Sequence, residues 1–440
     1  MGNVLGNRLA AAPLGAGAAA SRTDNSQGFV LLSADTSSSR CLDAFTVALI
    51  QTSDRQRWYT STMELQLASL SFCVACRSVP TLRLKIDGST PRRLLATSTR
   101  VPRLRARAVT WERNSPATLR KLLYALANVE VFEFGRHFNS SIEDVVWPRR
   151  LRVLTLGNSF DQPIADVSWP PLLRRLNFGF RFNQPVDDVS WPPFLQQVAF
   201  GGFFNQPVSS VSWPLALHQL TFEGKFNQPI SSVSWPPSLQ QLTLSDDFNQ
   251  PVASVSWPPS LKQLSFGMFF EETIAGVAWP ALLRKICLGA FFNQPVSDVA
   301  WPASLEDITL GSLITDHVDG TCVLYSCFDQ AIDNAMWPAS LRRLTLGCDF
   351  SQSLSRLGTC MPNLEELTLL KERYSLLDDI EWPKRLKKLT VYAQSRGEFK
   401  RRAVPSSVEV AYLQIIDGLR FVCWKFNLRL SAFFLTFPQS

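Results

Sequence analysis

The amino-acid sequence predicts a β-rich solenoid: a right-handed stack of about 12–13 coils of 22 residues, with one parallel β-sheet, largely non-helical return segments and a small helical N-terminal region. Windows such as FNQPVDDVSWPPFLQQVAFG and FNQPVSSVSWPLALHQLTFE recur almost letter for letter, which is typical of stacked repeats. Each period contains one short apolar alternation, enough for a single strand. Eight tryptophans are spaced by 22 residues without a slip: Trp147, Trp169, Trp191, Trp213, Trp235, Trp257, Trp279 and Trp301.

The strand and the return path can be placed within the coil that begins at Trp191. Val198 and Phe200 are two residues apart, so both side chains point to the same face of a strand. Gly201 follows them and permits the chain to turn out of the strand. The prolines of W-P-P and F-N-Q-P fix φ and remove backbone donors. We therefore expect the return path to be extended or polyproline-like rather than helical.

A single coil of this size cannot bury its own tryptophan, leucine and phenylalanine, so each coil needs the coils above and below it. Stacking at strand spacing places each tryptophan over the next and each phenylalanine over the next. An asparagine follows the phenylalanine in five coils, and its amide can serve both the bend and the neighbouring coil. We expect these asparagines to form a ladder: Asn183, Asn205, Asn227, Asn249 and Asn293.

The repeat letters resemble a known family. F-N-Q-P occurs five times, W-P precedes the strand, and the strand carries L-x-x-L-x-[LF]. Residues 127–413 resemble the FNIP-repeat branch of the leucine-rich-repeat superfamily. The resemblance implies a leucine-rich-repeat-like stack. The asparagine lies two places later than in the usual leucine-rich repeat, so the bend geometry is expected to differ.

The repeat divides the chain into four predicted parts. Residues 1–40 form an Ala/Gly/Ser-rich tail that is expected to be disordered, and residues 41–122 form a helical, basic N-terminal region and cap. Residues 123–413 form the solenoid, with an insertion loop at 312–327, and residues 414–440 form a C-terminal cap. The segment NSPATLRKLLYALA is predicted to be a helix that shields the first coil.

The N-terminal region allows several interpretations. Its junction S-D-R-x-R-W, within 41–80, resembles the second half of an F-box, although the Leu-Pro-x-x-Leu opening is absent, and an ordinary helical cap is the alternative. An F-box would imply a Skp-type linker as partner and a role as substrate adaptor of a ubiquitin ligase. Gly2 is a candidate for N-myristoylation, with an unmodified tail or a transit peptide as the alternative. Residues 1–120 hold 16 Lys and Arg against 7 Asp and Glu, which permits weak contact with an anionic membrane but predicts no specific nucleic acid.

The outward positions of the strands form the first candidate binding surface. The position before the second apolar residue of each strand is mostly glutamine in the middle of the array and mixed in charge later. Two interpretations stay open: a polar ladder left by repeat duplication, or contact with a partner protein. The candidate strand face comprises Arg175, Gln197, Gln219, Gln241, Gln263, Lys285, Asp307 and Arg343.

The insertion is the second candidate. Between Gly311 and Phe328 the chain has 14 residues more than the other coils have at this point. Binding residues concentrate on loops held by rigid scaffolds, so a loop that contacts a partner is one interpretation and an inert insertion is the other. The candidate residues are Asp316, His317, Asp319 and Tyr325. His317 with Cys322 and Cys327 fits no zinc-finger or zinc-ribbon spacing, so no metal is predicted.

Signals for catalysis are poor. The sequence has three histidines and contains no phosphate-binding loop, nucleophile elbow or H-E-x-x-H motif. The CVAC pair at 73–76 has no second cysteine or histidine pair beside it. Nine cysteines without regular spacing indicate reduced thiols and a cytoplasmic location. We therefore predict a non-enzymatic scaffold that binds another protein and needs no cofactor.

Overall fold

The computed structural model describes, with side chains, residues 107–112, 119, 123, 128–311, 326–369, 380–391, 404–405 and 407–409. For a further set of strand residues, at 45–49, 63–65, 83–86, 315–318, 321–324, 392, 410–416 and 420–426, it describes the backbone alone. The predicted tail at 1–40, with Gly2, lies outside the described residues.

Short strands separated by non-helical returns make up the described chain. The strands are β1 (Phe45–Leu49), β2 (Met63–Leu65), β3 (Arg83–Ile86), β4 (Ala108–Trp111), β5 (Val131–Phe134), β6 (Val153–Thr155), β7 (Arg175–Asn177), β8 (Gln197–Phe200), β9 (Gln219–Phe222), β10 (Gln241–Thr243), β11 (Gln263–Ser265), β12 (Lys285–Leu288), β13 (Asp307–Leu310), β14 (Thr315–Val318), β15 (Thr321–Leu324), β16 (Arg343–Leu346), β17 (Glu366–Leu369), β18 (Lys388–Tyr392), β19 (Glu409–Ile416) and β20 (Arg420–Phe426). The helix α1 is the single turn Leu357–Cys360. Within the described ranges, no helix is long and apolar enough to cross a membrane.

The strands of the repeat stack in register. From β5 to β13 and on through β16 to β19, each strand pairs in parallel with the next, so that Leu220, Leu242 and Leu264 lie side by side. These strands belong to an 18-stranded sheet. The predicted parallel solenoid with a period of 22 residues and non-helical returns is confirmed.

The N-terminal region departs from the prediction. The helical expectation for 41–122 is wrong where β1 to β4 lie, and F-T-V-A-L in β1 shows why: its apolar residues alternate with period two. Strands β3 and β4 extend the parallel ladder to a point before the predicted start at 123. The sequence did not predict these coils because they lack the F-N-Q-P and W-P motifs that define the repeat. In the predicted lid helix, Leu119 and Leu123 are helical and buried.

The ends of the ladder are antiparallel. Strand β1 pairs antiparallel with β2 and with β3. Strand β20 returns antiparallel along β19, which itself passes the predicted boundary at 413.

The core is a file of aromatic rings. Nine consecutive ring pairs, from Phe138 to Phe350, stack with centroids 6.1–6.3 Å apart, and the file passes the insertion unbroken from Phe292 to Phe328. Four neighbouring tryptophan pairs stack as well, with centroids 5.6–6.2 Å apart. Each inner ring of the file therefore packs on its counterparts in the coils before and after it.

A column of glycines ends the strands, for a reason other than the expected turn. A Cβ on Gly179 would lie 1.8 Å from the carbonyl oxygen of Gly157, and one on Gly289 would lie 1.7 Å from that of Gly267. Only Gly224, Gly276 and Gly311 have positive φ among the described residues. At most of these positions glycine is required because two backbones approach closely rather than because φ is unusual.

The asparagines hold the bends together. The Oδ1 atom of Asn205 accepts hydrogen bonds from the backbone N–H of Asn227 at 2.9 Å and from Nε2 of Gln228 at 3.0 Å. The same pattern recurs in most coils, and Asn293 makes it with Asp329 across the insertion. The letters N and Q thus act as acceptor and donor between successive coils, which explains why both recur.

Candidate functional site

The predicted strand face is a continuous column. Arg175 pairs in register with Gln197, and the pairing continues one residue per coil to Glu409. From Arg175 to Lys388 each member is exposed or half-buried, whereas the residue that follows it in its strand is buried. The structure thus brings the following predicted residues onto one surface: Arg175, Gln197, Gln219, Gln241, Gln263, Lys285, Asp307 and Arg343.

A second outward column lies two residues further along each strand. It consists mainly of short polar side chains, such as Thr221, Thr243 and Thr309, that are half-buried. Cys287 interrupts it, and burial raises the pKa of this thiol, which Lys285 only partly opposes. A protonated thiol in a row of hydroxyls is a poor nucleophile, so this column is a structural ladder.

The strand face has two parts of different electrostatics. From β12 to β18 the outward residues alternate in sign: Lys285 lies 3.6 Å from Asp307, and Arg343 lies 3.1 Å from the same carboxylate. The positions just before the strands alternate too, with Arg284 and Arg342 near Glu306 and Glu365, respectively. From β8 to β11 the face is glutamine, without charge. The charged part therefore neutralises itself from coil to coil.

Sequence reasoning missed one group of surface residues. Arginines cluster just before and at β6 and β7, and two apolar side chains beside them are exposed, Leu172 by 43% and Phe194 by 57%. The available signal was the third position after each tryptophan, where five other coils carry Ala or Ser. The arginines are Arg149, Arg150, Arg152, Arg174 and Arg175.

The predicted insertion loop at 312–327 contains a β-hairpin. Strands β14 and β15 pair antiparallel, with Val318 opposite Thr321 and His317 opposite Cys322. The two residues between the strands are Asp319 and Gly320, and Asp-Gly is a strong signal for a two-residue hairpin turn. Asp316 lies in β14. Asp319 and Tyr325 lie outside the described residues.

The described titratable groups offer no activated nucleophile or metal site. Burial and the nearby Asp349 raise the pKa of Cys348 to about 11, and burial raises the pKa of Cys327 and of Cys360. No cluster of His, Cys, Asp and Glu among the described side chains could hold a metal ion. His218 is exposed, and its Nδ1 lies against the carbonyl oxygen of Ala216.

The F-box prediction can be compared with the structure at two segments only. Within 41–80 the described residues are β1 and β2, both strands. The remaining residues of that range, and the basic residues at 91–106, lie outside the described part of the chain. The adaptor role and the Skp-type linker stay predictions.

Comparison with known proteins agrees with this geometry. Residues 226–269 match the family model described as FNIP Repeat. The crystal structure of CroV588, a novel circular leucine-rich-repeat protein, matches with a TM-score of 0.57 and 26% identity over 74% of this chain and 44% of that chain. The chain thus spans less than half of CroV588.

Two further structures match less closely. An internalin (InlF) from Listeria monocytogenes matches with a TM-score of 0.46 and 16% identity over 65% of this chain and 81% of its own. The Toll–Spatzle complex from Drosophila matches with a TM-score of 0.47 and 11% identity over 71% of this chain and 47% of that chain. No curated protein matches the chain. The chain carries FNIP repeats, and they form a leucine-rich-repeat-like solenoid.

Proposed function

We propose that this chain is a non-enzymatic protein–protein interaction scaffold in the cytoplasm, which presents the strand face and the hairpin of the insertion to another protein. The observation that carries the proposal is the strand face itself. It is a continuous row of outward side chains, from Arg175 to Arg343, that no other described element covers. A leucine-rich-repeat-like solenoid is typical of interaction scaffolds, which supports the same function.

The division of labour within each coil favours this role. The inward letters are fixed by stacking, since Phe204 and Phe226 lie 6.1 Å apart with almost parallel rings. The outward letters are free of that constraint and vary from Arg to Gln, Lys and Asp along the column. A rigid frame with a variable face is suited to recognising a macromolecule.

The hairpin supports the proposal independently. The phenylalanine file and the asparagine ladder pass the insertion at Phe292–Phe328 and Asn293–Asp329, so the stack does not need the inserted residues. Among the described residues, β14 and β15 pair only with each other, which leaves backbone groups on their outer edges for another chain.

The thiols and the fold support the non-enzymatic and cytoplasmic parts of the proposal. The four cysteines whose side chains the structure describes, Cys287, Cys327, Cys348 and Cys360, are in the thiol form, as expected in a reducing compartment. Their raised pKa values leave them protonated at neutral pH.

Site-specific photo-crosslinking in the native cells tests the proposal. A photoreactive amino acid is placed at Gln241 on the strand face, at Asp316 in the hairpin and, as matched control, at Ser254, which is exposed on the return side of the same coil as Gln241. We expect discrete protein adducts from Gln241 and Asp316 and none from Ser254. Adducts from Ser254 alone, or from no position, would contradict the proposal.

A further inference from the structure

Five arginines lie on two neighbouring coils. Arg149, Arg150 and Arg152 precede β6, Arg174 precedes β7, and Arg175 begins β7. All five are exposed, and none is ion-paired with a carboxylate of the described residues. Neighbouring strands are about 4.8 Å apart, which is shorter than the Debye length of about 8 Å at physiological ionic strength. The five charges therefore act together on an approaching ligand.

These two coils differ from the coils of β12 to β17. Between β12 and β17 the stack places an acid in the next coil beside each base, as for Arg284 with Glu306 at 3.5 Å. The same register places Gln197 beside Arg175, and its amide oxygen accepts a hydrogen bond from Arg175 without neutralising it. In the preceding coil Glu130 lies next to Arg152, but its carboxylate is ion-paired with Arg107 at 3.0 Å. The five arginines therefore keep their charge among the described residues.

Apolar side chains complete the patch. Leu172 and Phe194 occupy the same repeat position as Arg150, the third after the tryptophan, and are 43% and 57% exposed. This position lies two residues before Arg152 and Arg174 in their coils, so the apolar groups lie at the same edge of the stack as the arginines. Exposed aromatic groups beside arginine are the residue types that dominate binding energy at protein interfaces.

We propose that Arg150, Arg152, Leu172, Arg174, Arg175 and Phe194 form an arginine–apolar patch that binds an acidic segment of a partner protein through its carboxylates and its apolar side chains. The proposal rests on the proposed function, since it assigns partner chemistry to one end of the strand face. Guanidinium groups bind carboxylates through two parallel hydrogen bonds. Leu172 and Phe194 bury the apolar side chains of the segment.

The surroundings favour a narrow protein segment over a nucleic acid or a membrane. Asp166 lies in a shallow groove together with Pro171 and Pro193, which directly precede Leu172 and Phe194 in the chain. Asp187 and Asp188 are exposed on the following return segment. A duplex or a membrane surface is broad and would bring its phosphates against these carboxylates, which repel them. An extended peptide that alternates acidic and apolar residues can instead place its carboxylates on the arginines and its apolar side chains on Leu172 and Phe194.

Fluorescence anisotropy with the full chain tests the proposal. The first probe is a fluorescein-labelled synthetic peptide that alternates Asp or Glu with Leu or Phe. In the second probe Ser replaces the apolar residues, and in the third Lys replaces the acids. We expect the first peptide to bind most tightly, the second more weakly and the third not at all, with affinity for the first falling as salt rises.

Variants locate the binding. Arg174→Ser combined with Arg175→Ser should weaken binding of the first peptide by about tenfold or more, and Leu172→Ser with Phe194→Ser by a similar factor. Lys262→Ser and Leu282→Ser are matched controls, because they occupy the repeat positions of Arg174 and Leu172 in other coils and are exposed. Both controls should bind as the unaltered chain does. Circular dichroism checks that each variant is folded.

Three results would overturn the proposal: no binding of the first peptide, equal binding by the arginine variant, or tighter binding of an oligonucleotide or of anionic phosphatidylserine vesicles at the same patch. If the peptide fails while Gln241 still gives protein adducts, the proposed function stands and only this inference falls. If the peptide binds with the expected arginine dependence, the inference holds even where Gln241 gives no adduct, and the use of the central strand face falls instead.

Discussion

The two parts of the strand face share one frame and differ in what they present. In β7 to β11 the strand-face residues are arginine and glutamine, while in β12 to β18 bases and acids alternate. The core beneath is the same: Phe204 and Phe292 each stack on a neighbouring ring at 6.1 Å. Stacking therefore constrains the inward residues to be alike in both parts, whereas the outward residues are free to differ in charge.

The ion pairs of the charged part join neighbouring coils. Asp307 lies between Lys285 and Arg343, at 3.6 Å and 3.1 Å. Exposed pairs of this kind contribute only about 0.2–1 kcal/mol each, so the part is neutral rather than strongly stabilised. Neutrality leaves little charge for a partner, whereas the arginine coils keep theirs.

The glycine column should give the largest effect, and it should be equal in both parts. Gly179→Ala and Gly289→Ala would each place a Cβ within 1.8 Å of a carbonyl oxygen of the preceding coil. We expect each to lower the free energy of unfolding by at least about 4 kcal/mol. Chemical denaturation followed by tryptophan fluorescence measures it. Unchanged stability in either variant would show that these backbones are not in contact.

The phenylalanine file should follow. Phe204→Ala and Phe292→Ala remove fully buried rings and should each cost about 3–5 kcal/mol, because each ring stacks on the rings before and after it in the file. Phe269→Ala is the control, since that ring is 40% exposed and should cost about 1 kcal/mol or less. A loss no larger than that of Phe269→Ala at either buried site would mean that the file does not hold the two parts in one core.

The asparagine ladder should give a smaller loss that depends on the replacement. Asn205→Ala leaves the N–H of Asn227 without its acceptor and leaves the amide of Gln228 only the backbone carbonyl oxygen of residue 205, so it should cost about 1–3 kcal/mol. Asn205→Asp keeps the acceptor, as Asp161 already does for Asn183 at 3.0 Å, and should cost less. Thermal melting of both variants measures the difference. Equal losses of stability in the two variants would show that the acceptor oxygen of Asn205 is not the reason why asparagine recurs in the F-N-Q-P motif.

The smallest effect should be a pH dependence confined to the charged part. The hydrogen bond from Lys387, aided by the charges of Lys387 and Arg342, lowers the pKa of Glu365. Its stabilising effect is therefore present above the unfolded pKa of about 4.3 and is lost as pH falls through the lower folded pKa. Glu365→Gln should lose less stability than the unaltered chain between pH 7 and pH 3. Denaturation midpoints at the two pH values measure this, and identical losses would contradict it.

Much of the fold could be predicted because equivalent residues of successive repeats contact each other. The spacing of Trp191 and Trp213 predicts a stacked pair, and the rings lie 5.9 Å apart with nearly parallel planes. The first coils could not be found in this way, because β3 and β4 have no tryptophan–proline signature. The hairpin could have been predicted from Asp319-Gly320, a two-residue turn signal inside the insertion.

The arginine–apolar patch was harder to predict than the column. In the sequence, Arg174 and Leu172 look like ordinary surface residues. Whether they can bind a partner depends on which charged side chains the next coil places beside them. The patch becomes visible only from the register of β7 with β8, which places Gln197 beside Arg175, and from the exposure of Phe194. Partner chemistry therefore depends on contacts between coils that the letters of a single coil do not specify.

Placing acids beside the arginines tests the central claim, that neutralisation through the next coil separates the two parts of the face. Gln196→Glu with Gln197→Glu would give Arg174 and Arg175 the partners that Arg342 and Arg343 have in Glu365 and Glu366. Affinity for the acidic, apolar peptide should fall about tenfold or more while stability is kept, and the same change at Gln240 and Gln241 should have a smaller effect. Undiminished affinity in the Gln196→Glu, Gln197→Glu chain would contradict the account.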